Sequence, residues 1–167
     1  MYLDYRRPSG KTGVLPLVTF KLTPRCNLNC VMCGQRGVNG QLKGKFALEE
    51  EKKILPIERY IDLAKELSKT TQVFYMWGGE PFMYPGFMDL AAGVMKHIPI
   101  LAVNTNGTKL AENAERIVRD RWTSIFVSLD SFEEINDEIR GKGSFAKVMA
   151  GLEALKEEKK RQKSVFP

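Results

Sequence analysis

Val73-Phe-Tyr-Met-Trp-Gly-Gly-Glu-Pro81 is an apolar run that stops at a pair of glycines. A short apolar run bounded by turn residues, rich in Val, Phe, Tyr and Trp, reads as a buried β-strand. Upstream of it, Ile57, Tyr60, Ile61, Ala64 and Leu67 recur at the spacing of one helical face. That predicts a helix over about 56–68, with Pro56 at its first position. Downstream, Phe87, Leu90, Ala91, Val94 and Met95 predict a second helix near 86–97. The pattern then repeats. Residues 98–103 read as a strand, ended by Asn104-Thr-Asn-Gly107, and Leu110, Ala114, Ile117 and Val118 mark a third helix. Residues 124–129 are another strand. Ser144 is placed to cap a last helix in which Phe145, Val148, Met149, Leu152 and Leu155 share a face. Lys159, Lys160, Arg161 and Lys163 crowd its end, where cations suit the helix dipole. Residues 14–22 supply the first strand.

Apolar strands alternating with amphipathic helices mean an α/β fold: parallel strands with the helices outside. Every polar motif follows a strand. In parallel α/β folds the carboxyl ends of the strands line the binding site, so the motifs are expected to meet at one mouth.

The chain has 167 residues, enough for about one domain. A closed eight-fold barrel needs ~250 residues, or ~30 per βα unit, so this length has room for about five units. No apolar run approaches the ~18 residues of a membrane span, and the basic start has no apolar segment after it, so a secretory signal is not expected. Three cysteines, an odd and clustered set, do not form a disulfide framework and point to a reducing compartment, the cytoplasm. The net charge of +6 is unevenly spread: residues 1–45 carry eight Lys or Arg and one acid, Asp4, while the rest is nearly balanced. No aromatic residues interleave the basic ones as a nucleic-acid stacking platform requires.

Cys26-Asn-Leu-Asn-Cys30-Val-Met-Cys33 follows the first strand. Three thiolates this close on a loop can hold one metal centre. A structural zinc wants four protein ligands, and the only histidine, His97, lies near the opposite end of the sheet. A 4Fe–4S cluster with one iron left for an external ligand suits three thiolates better. A zinc module, or a nucleic-acid module using the basic N-terminal part, stays as the alternative.

The C-x3-C-x2-C spacing after a first strand resembles the signature of the radical S-adenosylmethionine (SAM) enzymes. Gly78-Gly-Glu-Pro81 after the second strand, Asn104-Thr-Asn-Gly107 after the third, Ser128-Leu-Asp130 at the end of the fourth and Arg140-Gly-Lys-Gly-Ser-Phe145 before the last helix are similar to that family's motifs, in its order. The resemblance covers residues 14–167 and implies a partial (βα) barrel of TIM type.

It further implies that Cys26, Cys30 and Cys33 ligate three irons of a 4Fe–4S cluster while the fourth holds SAM. Reductive cleavage of SAM would give a 5′-deoxyadenosyl radical that takes hydrogen from a substrate. By the same resemblance Gly78 and Gly79 offer carbonyls to the SAM amino group, and Glu80 adds a carboxylate beside its positive charges. Ser128 and Arg140 would hold the SAM carboxylate, and Asn106 would reach the ribose or order its turn. Asp130 reads equally as a cap for the segment after it. Met32 stands where the family often has an aromatic residue against the adenine, and its thioether can still pack on a purine.

The nearest subgroup in pattern carries a second, cysteine-rich region called SPASM or twitch, and many of its members modify peptides or make cofactors. The partners implied are a flavodoxin- or ferredoxin-type one-electron donor and a substrate for which a peptide is one candidate. Residues 1–13 are expected to form an N-terminal arm. Residues 14–167 form the core domain, which the sequence leads one to expect stops after four βα units. Residues 163–167 resemble the entry to a fifth strand, and the fourth would be an apolar edge.

Overall fold

The computed structural model describes residues 13–167; residues 1–12, nearly all of the expected arm, lie outside the described residues. Four strands form one sheet in the order β1 (Leu17–Lys21), β2 (Val73–Trp77), β3 (Ile100–Thr105), β4 (Ser124–Val127). Each neighbouring pair is parallel. The helices are α1 (Gly44–Lys52), α2 (Ile57–Leu67), α3 (Phe87–Met95), α4 (Leu110–Arg119), α5 (Glu133–Arg140) and α6 (Ser144–Gln162), with one turn of 3-10 helix at Pro81–Met83. The result is an open, partial barrel of α/β type.

The pleat separates the two faces of the sheet. Register aligns Phe20 with Met76, Met76 with Val103 and Val103 with Ile125, and this row points toward the helices. Phe74, Met76, Leu101 and Val103 are fully buried there, against Leu90, Ala91 and Val94 of α3 and Leu110 and Ile117 of α4. The opposite face is only half covered. On it Leu17 and Phe126 are exposed, and Tyr75 meets Phe126 edge-on with ring centroids 5.9 Å apart.

Three aromatic rings tie the site to this core. Phe82, from the 3-10 turn after β2, stacks on Trp122 at 5.9 Å and meets Phe87 at 5.0 Å. Such pairs contribute about 0.5–1.5 kcal/mol each beyond their buried area. The turn carrying Gly78-Gly79-Glu80 is thereby anchored at its far end.

The structure corrects four local expectations. Pro56 is the residue before α2 rather than its first. Ser144 does not cap α6: Gly143 holds the cap position, with φ of 77°, and Ser144 is the first helical residue, buried. The capping acceptor comes instead from Asp137 on α5, which takes hydrogen bonds from the backbone N–H groups of Gly143 and Phe145 and from the Ser144 hydroxyl. The buried face of α6 is Ser144, Val148, Gly151 and Leu155, whereas Met149 and Leu152 are exposed. Gly151 explains the rotation: a Cβ there would lie 2.7 Å from the Leu110 side chain, so its absence brings α6 directly onto α4. Residues 163–167 form no strand. Lys159 Nζ donates to the Pro167 carbonyl at 2.6 Å, and the Arg121 guanidinium lies 5.3 Å from the Phe166 ring centre.

Candidate cofactor site

The chain leaving β1 is laced to the turn leaving β2. Gly79 N–H donates to Thr23 O at 2.6 Å, and Glu80 N–H donates to Arg25 O at 2.7 Å. The approach is so close that a Cβ on Gly79 would sit 2.2 Å from Arg25 O, which only glycine allows at this place. The bare backbone of Gly79 therefore already serves contact with the cysteine strand-end. The Gly78 carbonyl accepts from Gln35 Nε2 at 3.2 Å.

The cysteine loop folds over a second glycine. Gly37 N–H donates to Cys33 O at 2.9 Å, and a Cβ on Gly37 would lie within 2.7 Å of the carbonyls of Cys30, Val31 and Cys33. On its outer side the loop rests on the end of α5. Val31 N–H donates to Ile139 O at 2.9 Å, and the Cys30 thiol lies 3.9 Å from Arg140 O. Cys30 is buried; Cys26 and Cys33 are partly exposed.

Donors already point at the sulfurs. Leu28 N–H reaches Cys26 Sγ at 3.4 Å, Arg36 N–H reaches Cys33 Sγ at 3.4 Å, and Asn106 Nδ2 lies 3.7 Å from Cys26 Sγ. Burial pushes the Cys26 thiol pKa up, opposed by the Leu28 N–H. Burial does the same at Cys30, opposed by the nearby Arg140 charge. Among the described residues no three Cys, His, Asp or Glu side chains are drawn around one point as a single ion requires. Ligands of a cluster each hold a different iron and stand wider apart. The donor set fits such a group: three thiols on one loop, two of them facing N–H donors that would stabilise thiolate charge.

Glu80 lies beneath this surface and is fully buried. Its Oε1 accepts from the Thr105 hydroxyl at 2.7 Å and Phe82 N–H at 3.3 Å; its Oε2 accepts from Asn106 N–H at 2.7 Å. Burial raises its pKa, and those three donors oppose the rise. The carboxylate clamps the end of β3 to the turn after β2, with no surface turned to a ligand. Asn106 is also buried and engaged, with Thr108 and Asn27.

Ser128 is partly exposed just past β4, its N–H bonded to Thr105 O at 2.9 Å. Arg140 makes a two-pronged ion pair with Asp130. The Asp130 N–H in turn donates to Asn136 Oδ1 at 3.3 Å. Met32 is exposed on the cysteine loop. The fold thus gathers Cys26, Cys30, Cys33, Gly78, Gly79, Asn106 and Arg140 at the carboxyl ends of the strands. Gln35, Gly37, Asn27, Thr108 and Asn136 support them and were not singled out by sequence. Their types are ordinary for loops, and only three-dimensional partners reveal them.

The family model described as "Radical SAM superfamily" matches residues 20–166. The chain belongs to the radical SAM superfamily. Its cofactors are a 4Fe–4S cluster and SAM. Similar proteins include the Fe-coproporphyrin III synthase of Methanosarcina barkeri, 33% identical over 145 residues, covering 86% of this chain and 34% of that protein. The mycofactocin maturase MftC of Mycobacterium ulcerans is 34% identical over 142 residues, covering 83% of this chain and 36% of its own length. The chain spans about a third of the length of these curated relatives. Among solved structures, native anSMEcpe with bound AdoMet superposes with a TM-score of 0.65 at 22% identity, over 86% of this chain and 41% of that one. Streptococcus suis SuiB bound to precursor peptide SuiA gives a TM-score of 0.63 at 17% identity, over 88% and 30%. At those identities the likeness is one of fold, and it supports the partial barrel.

Proposed function

We propose that this chain is the cofactor-binding core of a radical SAM enzyme of the SPASM or twitch type, with Cys26, Cys30 and Cys33 as cluster ligands. The observation carrying the reading is the bracing of the cysteine loop on both sides, by the Gly78-Gly79-Glu80 turn and by the end of α5. When bound, the cluster and SAM supply a 5′-deoxyadenosyl radical by one-electron cleavage of the sulfonium. The protein's own residues bind and orient. Arg140, held by Asp130, offers its guanidinium to the SAM carboxylate, and Ser128, just past the end of β4, offers its hydroxyl to the same group. The Gly78 and Gly79 carbonyls accept from the SAM amino group, and Met32 packs on the adenine. Glu80 and Asn106 act through the loops they hold. The maturase among the relatives, together with SuiB solved with a precursor peptide, favours a peptide substrate, and the reductant is a flavodoxin- or ferredoxin-type donor.

Anaerobic reconstitution with iron and sulfide is expected to give thiolate-to-iron absorption and, with dithionite and SAM, 5′-deoxyadenosine. Cys30→Ala removes both. A colourless protein holding stoichiometric zinc overturns the reading. Because the chain spans about a third of its curated relatives, a second outcome is provided for: SAM cleavage without substrate product marks a cluster- and SAM-binding core that needs the rest of its site elsewhere.

A further inference from the structure

Three polar side chains beside Cys26 close a ring. Asn106 Oδ1 accepts from the backbone N–H of Thr108 at 3.0 Å and from its hydroxyl at 2.7 Å. Two donors on that oxygen fix which end of the amide is carbonyl, because a flipped NH2 would face both. The Thr108 hydroxyl, having given its only proton to Asn106, accepts from Asn27 Nδ2 at 2.8 Å. Asn27 Oδ1 then accepts from Asn106 Nδ2 at 2.9 Å. The ring uses one of the two protons on Asn106 Nδ2, and the other has Cys26 Sγ 3.7 Å away.

The sulfurs are unequally served. Cys26 faces two donors, Leu28 N–H and Asn106 Nδ2, and Cys33 faces one, Arg36 N–H. For Cys30 the contact runs the other way, from its thiol to Arg140 O. Hydrogen bonds to ligand sulfurs stabilise the more negative, reduced cluster and so raise its potential.

We propose that Asn27 and Thr108 are positioning residues that raise the reduction potential of a cluster on Cys26 by locking Asn106 as its N–H···S donor. This rests on the function proposed above. The step is a one-electron transfer from an external reductant, dithionite or a low-potential donor protein, to the cluster; no bond forms or breaks. Neither Asn27 nor Thr108 donates to a sulfur, and the hydrogen-bonded route from them to Cys26 Sγ runs through Asn106.

The test is a potentiometric titration of the anaerobically reconstituted full chain, followed by EPR of the reduced cluster. Iron and sulfide per chain and far-UV circular dichroism are measured alongside. Asn106→Leu is expected to lower the reduced-to-oxidised ratio at a fixed potential about tenfold, a shift of about 59 mV for one electron. Thr108→Val shifts it the same way by less, and Thr108→Ser restores the wild-type value. If Asn106→Leu and Thr108→Val keep wild-type cluster content and wild-type potential, the inference is wrong. Loss of the cluster in every ring variant, Thr108→Ser included, also overturns it, since the ring is then a structural support. A wild-type chain that takes up no cluster sinks the proposed function instead, a separate result.

Discussion

Arg140 and Asp130 meet as a fork, Nε to Oδ2 at 2.6 Å and Nη2 to Oδ1 at 3.1 Å. The guanidinium side is the more buried, 13% exposed against 31% for Asp130. Two parallel charge-assisted bonds fix the plane of the guanidinium at the mouth of the barrel, beside Cys30.

Arg140→Leu is expected to weaken SAM binding to the cluster-loaded protein about 10- to 100-fold, the size of a hydrogen-bonded charge contact of about 1.5–3 kcal/mol. Decarboxylated SAM should bind both proteins alike. Asp130→Ala should weaken SAM by less, because the cation survives and only its orientation is lost. Equilibrium dialysis checks this; tighter binding by Asp130→Ala would show that Asp130 competes with the ligand rather than aiming its receptor.

Glu80→Gln keeps the shape of a fully buried side chain but exchanges one acceptor for a donor. An NH2 group must then face Asn106 N–H, or else Thr105 and Phe82, all of which donate to Glu80 now. An unsatisfied buried donor costs about 1–3 kcal/mol, so the urea midpoint should fall, although a carboxyl charge leaves the interior. A variant as stable as wild type would mean the clamp is not held by these bonds.

Gly79→Ala puts a methyl group against backbone that cannot retreat by rotating a side chain, with Arg25 O at 2.2 Å and Pro24 O at 2.8 Å. The bonds from Gly79 N–H to Thr23 O and from Glu80 N–H to Arg25 O should part. Cluster loading, read as iron per chain, is expected to drop several-fold while helical circular dichroism persists.

Asp137 carries the start of α6 on its carboxylate. Hydrogen bonds from Phe145 N–H, then Gly143 N–H, hold its pKa below the usual value. A depressed folded pKa stabilises fully above the unfolded value, and that stabilisation is lost as pH falls through the folded one. Asp137→Ala is therefore expected to lower the thermal midpoint by a few degrees at pH 7. Below about pH 4 its loss of stability on acidification should be shallower than that of wild type. Thermal melts at both pH values decide it.

Much of this fold was legible because its strands and long helices obey simple periods. The face predicted for α4, Leu110, Ala114, Ile117 and Val118, is the face it buries. Two helices escaped for a reason that is equally physical. α1 buries none of its residues, so no apolar stripe announces it. α5, Glu133–Arg140, buries only Asn136, a polar residue that bonds to Asp130 N–H and Ser144 Oγ. The site divided along the same line. Motif residues stood out by type and spacing, whereas Asn27 and Thr108 gain meaning only once the fold brings Asn27 to Asn106 and Thr108, 79 and 81 positions further along the chain. The family resemblance implied that Glu80 sits beside the SAM charges; its burial depends on Thr105 and Asn106 arriving from the next strand.

The cysteine loop has its outer support in α5, and the contact between Cys30 and Arg140 spans 110 positions. A ribosome that has released only the first cysteines has made a loop without its support. The braced geometry of the cysteine loop is therefore complete only once α5 has emerged from the ribosome.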